Sequence, residues 1–113
     1  MGRCLMDEDL YAKFLPQFVA LARARVSVAL AAAAQRDHGA MPATVRELHS
    51  LAGEAGLLGL NEVIPFARDG ERKAKLLHVS RADADADALV AALRALEQVI
   101  EGIAVTKGSG APV

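Results

Sequence analysis

The stretch SRADADADALVAALRALEQVIEGI, residues 80–103, decides the fold class because its apolar residues recur with the period of an α-helix. Ser80 followed by Asp83 resembles a capping box, and the acidic residues after it suit the positive end of a helix dipole. The apolar stripe consists of Leu89, Leu93, Leu96, Val99, Ile100 and Ile103. This pattern predicts an amphipathic helix that buries one face.

Helical spacing recurs at the other end of the chain, over residues 7–36. Pro16 lies inside this pattern, and proline lacks an N–H group and crowds the preceding turn. We therefore expect a short helix to about Leu15 and a long helix from there to the end of the pattern. Gly39 follows, free to adopt a left-handed conformation.

Two more helices are predicted between these ends. Pro42 begins one of them, which stops in the glycine-punctuated stretch at residues 56–59. Asn61 is a plausible N-cap for the next, which contains a basic run. Gly70 also lies inside this helix, at a cost of about 1 kcal/mol relative to alanine. Short connections between long amphipathic helices favour an antiparallel up-and-down bundle.

The predicted fold is therefore all-α, an antiparallel up-and-down four-helix bundle with a short additional N-terminal helix. It is expected to occupy residues 1–105. Residues 106–113 are small and polar, and we expect them to form a disordered tail.

Composition excludes several classes of function. Thirteen basic and fourteen acidic side chains give a net charge of −1, whereas proteins that hold nucleic acid by its phosphates carry a basic excess. The one cysteine, Cys4, excludes an internal disulfide and a thiolate zinc site. The longest apolar run, residues 26–34, is shorter than the ~20 residues of a membrane span. We expect a cytoplasmic protein that does not enter a membrane.

His49 lies outside the apolar stripe of the third predicted helix. At about 100° per residue, Val45, Leu48, Leu51 and the neighbouring alanines share one side, and His49 points roughly 110° from its centre. We therefore expect the imidazole at the edge of the buried face or outside it.

Gly53 and Gly56 stand one and two turns beyond His49 on the same helix. Each mid-helix glycine costs ~0.5–1 kcal/mol relative to alanine, in a chain that uses alanine freely. A helix face without side chains beside an exposed imidazole would let another protein approach closely. A neutral imidazole is nucleophilic and can hold a phosphoryl group temporarily.

The segment resembles the histidine-containing phosphotransfer (HPt) domains of bacterial two-component phosphorelays. Those domains are small helical bundles in which the phosphorylated histidine is followed by Gly at the fourth position, a small residue near the sixth, and Leu-Gly at the ninth and tenth. Here His49, Gly53, Ala55 and Leu58-Gly59 fill those places.

The resemblance implies that His49 accepts a phosphoryl group from a receiver-domain aspartate, or from a histidine kinase such as a hybrid kinase, and passes it to another receiver. It implies a phosphocarrier rather than an enzyme, with no cofactor or metal of its own and with the catalytic groups and metal on the receiver. Docking is expected on an apolar patch beside His49, where Ala52, Gly53 and Gly56 permit close approach. One such site on a self-contained bundle favours a monomer.

One position departs from the family. The third residue after the histidine is usually lysine, whose ammonium meets the phosphoryl oxygens, and here it is Ala52. Arg46, one turn before His49, could supply the positive charge instead. The next helix offers three further cations: Arg68, Arg72 and Lys75.

Two other functions are alternatives to phosphotransfer. The first is a non-phosphorylated adaptor that binds a receiver or kinase without chemistry, for which Ala52 is the motivation. The second is a metal- or haem-binding bundle, which the sequence disfavours because it has no Glu-x-x-His pair.

Several residues receive the simpler interpretation. His38 is expected to be a solvated loop residue and His78 to lie in a last helical turn, neither with a role. Aspartates alternate with alanines at residues 83–87, which suits a solvated helix start better than a calcium loop. Leu57, Leu58 and Leu60 are consistent with a docking surface or with core packing.

Overall fold

The computed structural model describes residues 8–108, and within that range it contains helices and no strand. The four long helices are α1 (Glu8–Ala34), α2 (Met41–Leu57), α3 (Ile64–Ser80) and α4 (Asp83–Ile103). A 3₁₀ turn at His38–Ala40 leads into α2, and a π-helical turn at Ala104–Gly108 follows α4. The prediction of an all-α four-helix bundle is confirmed. Cys4 lies outside the described residues.

Each helix packs beside the next one along the chain, and α4 closes the bundle against α1. The α2–α3 contact is the most extensive, and the α1–α2 contact is the smallest of the four. Because the loops between successive helices are short, neighbouring helices run antiparallel.

The core combines leucines from three helices with many alanines. Leu48 and Leu51 of α2 belong to one fully buried cluster with Leu77 of α3 and with Leu89, Leu93 and Leu96 of α4. Small residues at the helix contacts let the helix axes approach closely. The buried alanines are Ala22, Ala29, Ala32, Ala33, Ala52, Ala55, Ala67, Ala74, Ala86 and Ala92.

Gly70 is the tightest point between α2, α3 and α4. A Cβ atom at this position would lie 3.1 Å from Leu48 Cδ1 and 3.6 Å from Leu93 Cδ2. The glycine that costs the helix stability therefore lies in a tight contact of the core, where a larger side chain would have to displace Leu48. It brings the middle of α3 against α2 beside Leu48.

One arginine bridges helices α1 and α2. Arg25 of α1 donates to Glu54 Oε1 at 2.7 Å, and its Nε lies 2.8 Å from Glu47 Oε1 at an angle outside hydrogen-bond geometry. Apolar grooves flank this bridge, with volumes of about 360 Å³ toward the start of α2 and 320 Å³ toward its end. The two helices are thus bridged rather than tightly packed.

The separate short N-terminal helix is not found, because α1 runs through Pro16 without a break. The lost hydrogen bond is the one to the carbonyl of Ala12, and both residues are exposed, so water can satisfy that carbonyl. Leu15 and Phe18, on either side of the proline, are buried in the core. Their packing outweighs the proline's cost of about 3 kcal/mol.

The end of α1 also differs from the prediction, because Arg36 rather than Gly39 adopts the left-handed conformation, with φ 57°. The Arg36 guanidinium donates to Asp83 Oδ1 at 3.2 Å and to Asp87 Oδ1 at 2.8 Å at the start of α4. The end of α1 is thereby joined to the start of α4. These aspartates are ion-pair partners, not merely solvated helix-start residues.

Two predicted helix starts are wrong. Asn61 does not cap α3, because the Val63 N–H donates to the Leu60 carbonyl in a tight turn and the helix begins only at Ile64. Ser80 does not form a capping box, because it ends α3 and its hydroxyl donates to Asp85 at 2.5 Å.

The expected disordered tail, residues 106–113, is wrong in its first part. Residues 104–108 continue as helix, and the Thr106 hydroxyl donates to the Gly102 carbonyl at 2.8 Å. Residues 109–113 lie outside the described range.

Helix α1 contains a segment, Tyr11–Ala34, whose 24 residues include an 18-residue window with a mean hydropathy of 1.3, enough by length and composition to cross a membrane. The longest uninterrupted apolar run did not indicate this. In the bundle, 39% of that window is buried, and core helices of bundles pass the same test.

Replacing Gly70 with leucine should lower the free energy of unfolding by about 1–3 kcal/mol, because the new side chain must displace Leu48 and Leu93. Urea denaturation measures this change. Gly53→Leu is the matched control, since nothing lies within 4 Å of a Cβ at that position. Equal stability of the two variants would contradict the packing role of Gly70.

Candidate functional site

Helix α2 buries one face and presents His49 on another. Leu48 and Leu51 have no exposed surface, whereas 69% of the His49 side chain is exposed. The prediction that this imidazole stands outside the buried stripe is confirmed. A small molecule or protein can reach its ring from solvent.

A carboxylate from α3 meets the His49 ring. Glu71 Oε2 lies 3.4 Å from Nδ1 of His49, longer than an ordinary N–H···O hydrogen bond. The same oxygen lies 3.4 Å from Nζ of Lys75. One partly buried carboxylate therefore links an imidazole and an ammonium group on the surface of the bundle.

The packing of the core explains why Glu71 reaches His49. Gly70 lets α3 approach Leu48, so the next residues along each helix, Glu71 and His49, face each other at the edge of the α2–α3 contact. Sequence reasoning missed Glu71 because no helical spacing relates residues on different helices. Gly70 was the available signal, and it was interpreted only as a cost to the helix.

Two of the three glycines after His49 are not explained by the fold. Gly53 is exposed, and a Cβ there would have no neighbour within 4 Å. A Cβ at Gly56 would lie 3.7 Å from Ile64 Cδ1, an ordinary contact. Packing within the described part of the chain therefore does not require glycine at either position.

Glycine is favoured at position 59 by the backbone conformation alone. Its φ of +73° is left-handed, and it ends α2 while the Leu60 N–H donates to the Ala55 carbonyl at 2.8 Å. This is the hydrogen bond of a Schellman helix end, which favours glycine.

Ala52 is not part of the exposed surface, which corrects the expectation that it permits close approach of a partner. It is 2% exposed and belongs to the core of the bundle. Its place on α2, between the buried Leu48 and the edge occupied by His49, turns its methyl group inward.

The cations predicted near His49 have different surroundings. Arg46 is exposed on α2, one turn before His49. Arg72 donates to Asp69 Oδ1 at 2.6 Å, and Lys73 donates to the same oxygen at 2.7 Å. The Lys73 and Arg72 contacts hold the pKa of Asp69 below its usual range. Arg72 therefore pairs with Asp69. Lys75, in contrast, contacts the same Glu71 oxygen as His49.

An apolar surface lies toward the end of α2. Leu57 is 58% exposed and lines the 320 Å³ groove with Phe14 and Leu21 of α1. Leu58 is half-buried and Leu60 is fully buried. Of the three leucines, one is therefore surface, one lies at the boundary and one belongs to the core.

The other two histidines differ from each other. His38 is half-buried, and its Nε2 is buried with no hydrogen-bond partner, so its expected assignment as a solvated loop residue is wrong. His78 is exposed in the last turn of α3, as predicted. Among the residues that the structure describes, no group of three histidine, cysteine, aspartate or glutamate side chains is placed to hold a metal ion.

A family model described as the Hpt domain matches residues 13–103, which include all of α2, α3 and α4 and most of α1. Comparisons with curated proteins and with solved structures gave no match.

Replacing Ala52 with lysine should lower the free energy of unfolding by about 1–3 kcal/mol, because the longer chain must be forced out of a filled core. Ser50→Lys, at an exposed position of the same helix, is the control and should leave stability within about 0.5 kcal/mol. Chemical denaturation of both variants measures the difference. A fully stable Ala52→Lys protein would contradict the burial of this position.

Proposed function

Because the chain belongs to the Hpt domain family, whose members carry phosphoryl groups on histidine in two-component signalling, we propose that His49 is its phosphoryl acceptor. The proposed donors and acceptors are receiver-domain aspartates of a bacterial phosphorelay, with a histidine kinase as a direct donor. Hpt domains are phosphocarrier modules that interact with receiver domains and histidine kinases. We also propose that this one acts as a monomer in the cytoplasm.

The observation that carries this proposal is the exposure of His49 beside the bare face of Gly53. In-line transfer needs the attacking nitrogen, the phosphorus and the leaving oxygen in one line. A helix with an exposed ring and no Cβ one turn away leaves room for the rim of a receiver's active site.

The transfer step needs little chemistry from the carrier. The Nε2 lone pair of His49 forms the N–P bond while the P–O bond of the receiver's acyl phosphate breaks, and the aspartate leaves as a carboxylate. The reverse step returns the phosphoryl group to another aspartate. We propose that the receiver contributes the metal ion and the charged groups that stabilise the transition state.

The apolar groove offers a docking surface for the receiver. Leu57 lies on α2 two turns beyond His49 and one turn beyond Gly53, and it lines the groove together with Phe14 and Leu21 of α1. Burial of these side chains would supply affinity without involving the phosphoryl site. Arg46, exposed on the other side of His49, is proposed to meet acidic groups of the partner.

A non-phosphorylated adaptor is the second candidate, and the burial of Ala52 favours it. A lysine three residues after the histidine would supply an ammonium on α2, whereas this chain has a core methyl group there. The adaptor would bind a receiver through the same surface without accepting a phosphoryl group.

Replacing His49 with glutamine should abolish phosphoryl uptake from a phosphorylated receiver, because the amide cannot form the N–P bond. His78→Gln removes another exposed histidine and should leave uptake unchanged. Incubation with ³²P-labelled receiver, followed by gel electrophoresis, measures the label on each variant. Label that persists on His49→Gln would contradict the assignment, and receiver binding without label on the wild type would establish the adaptor.

Replacing Gly53 with leucine should slow phosphoryl uptake roughly tenfold or more while leaving the bundle folded, because the side chain occupies the approach to His49. A time course of label transfer measures the rate of phosphoryl uptake, and circular dichroism checks that the variant is folded. An unchanged rate would show that the bare helix face has no part in docking.

A further inference from the structure

We propose that the apolar groove between the second half of α1 and the start of α2 binds an amphipathic helix of a partner protein, with a lysine or arginine of that helix beside Glu47. This groove has a volume of about 360 Å³ and is lined by residues within 24–32 and 40–47. We call it the α2-start groove. The inference goes beyond the proposed function and does not depend on it.

The surface around the α2-start groove is uncharged over two stretches of the chain. Residues 26–35 and residues 39–45 contain no acidic, lysine or arginine side chain. Val28, which lines the groove, is 71% exposed. Helix α3, in contrast, exposes several cations. An apolar surface without charges has the composition of the core of a protein interface.

Helix α1 has more apolar surface than the bundle covers. Its 18-residue window with a mean hydropathy of 1.3 is only 39% buried. Burial of apolar surface is the main favourable term in the association of proteins. A second molecule that covers this side of α1 would therefore gain binding free energy from surface that the fold leaves exposed.

The walls of the groove favour a helix over other peptide conformations. A peptide strand needs an exposed sheet edge, and residues 8–108 contain no strand. A polyproline segment needs aromatic rings, and none lines this groove. Five of the nine lining residues are alanines, whose small side chains let a third helix approach α1 and α2 closely.

The charges beside the groove favour a basic partner. Arg25 contacts both Glu47 and Glu54, so one guanidinium faces two carboxylates. The Glu47 side chain lines the groove, is 54% exposed and accepts no hydrogen bond from Arg25 Nε. A lysine or arginine of the partner would balance the excess carboxylate. Charge complementarity of this kind fixes the register of a bound helix and excludes acidic competitors.

The same charges disfavour two other occupants. In a symmetric dimer the same surface of both copies meets, so the excess carboxylates of the two copies would face each other. Anionic lipids would be repelled in the same way, whereas helices that lie on membranes carry a basic rim. A basic helix of another protein is the occupant that the charges fit.

A helix in this groove would leave the phosphoryl site open. At about 100° per residue, Glu47 and His49 point about 160° apart on α2. The groove lined by Leu57 and Leu21 lies on the other side of the Arg25 bridge. One partner can therefore hold the protein at the α2-start groove while a receiver approaches His49.

A displayed library of 18-residue amphipathic helices tests the proposal. Each member has leucines at i, i+3, i+4 and i+7 spacing, and its flanking positions vary among Lys, Glu and Gln. Selection on the wild type should enrich lysine-bearing helices. Their affinity should fall at least tenfold on Val28→Glu, because binding would bury the new charge.

Val79→Glu is the matched control, because Val79 is 81% exposed on α3, away from the groove, and binding should not change. Enriched helices that bind Val28→Glu as tightly as the wild type would overturn the proposal. So would helices whose binding depends on Leu57 and not on Val28, since they would occupy the other groove.

A charge reversal tests the role of Glu47. Selection on Glu47→Lys should enrich glutamate-bearing helices in place of lysine-bearing ones, and circular dichroism checks that the variant is folded. An unchanged preference for lysine would overturn the pairing with Glu47.

The other occupants give different results. A wild-type dimer in analytical ultracentrifugation that Val28→Glu dissociates would assign the groove to a second copy and overturn the proposal. Binding to phosphatidylcholine–phosphatidylglycerol vesicles that Val28→Glu abolishes would assign it to a membrane surface and overturn it equally.

Phosphoryl uptake separates this inference from the proposed function. Val28→Glu should take up label from a phosphorylated receiver at the wild-type rate, and a loss of uptake would place the groove in the receiver interface and overturn its separate role. Absence of uptake by the wild type would contradict the phosphocarrier function, while selection of Val28-dependent basic helices would still support the groove.

Discussion

The approach of α3 to α2 at Gly70 is the constraint on which the site depends. A missing side chain at one buried position lets Leu48 fill the space between three helices. That contact sets the register of the two helices, and the register brings Glu71 of α3 to His49 of α2. The contact between Gly70 and Leu48 therefore bears on both the core and the position of the surface site. A bulkier residue at position 70 would separate the carboxylate from the imidazole as well as destabilise the bundle.

One face of helix α2 stabilises the bundle, and another leaves His49 accessible from solvent. Its leucines supply the fully buried face, while Gly53 forgoes helix propensity of about 0.5–1 kcal/mol with no contact inside the protein to require it. A bundle with many buried alanines and leucines can tolerate that loss. The helix face beside His49 therefore has room for a second molecule, which agrees with the proposed docking of a receiver.

Much of the fold was predictable because helical period and glycine placement are local signals. The exposure of His49 followed from the same arithmetic. The break at Pro16 was predicted wrongly, since propensity ignores the burial of residues on both sides of the proline. The burial of Ala52 was available from the helical period, which places it on the same side as Leu48 and Leu51, but the family resemblance led to its assignment as docking surface. The contact of Glu71 with His49 depends on how α3 crosses α2, and no pattern within one helix contains that information. Contacts between side chains of different helices therefore could not be predicted from the sequence.

Coupled ³¹P and ¹⁵N NMR of the protein after exposure to a phosphorylated receiver would identify the atom that carries the phosphoryl group. We expect one phosphorus atom coupled to Nε2 of a single histidine, His49, with the proton retained on its other ring nitrogen. Phosphorus bonded to Nδ1, to another residue, or to no nitrogen at all would contradict this assignment.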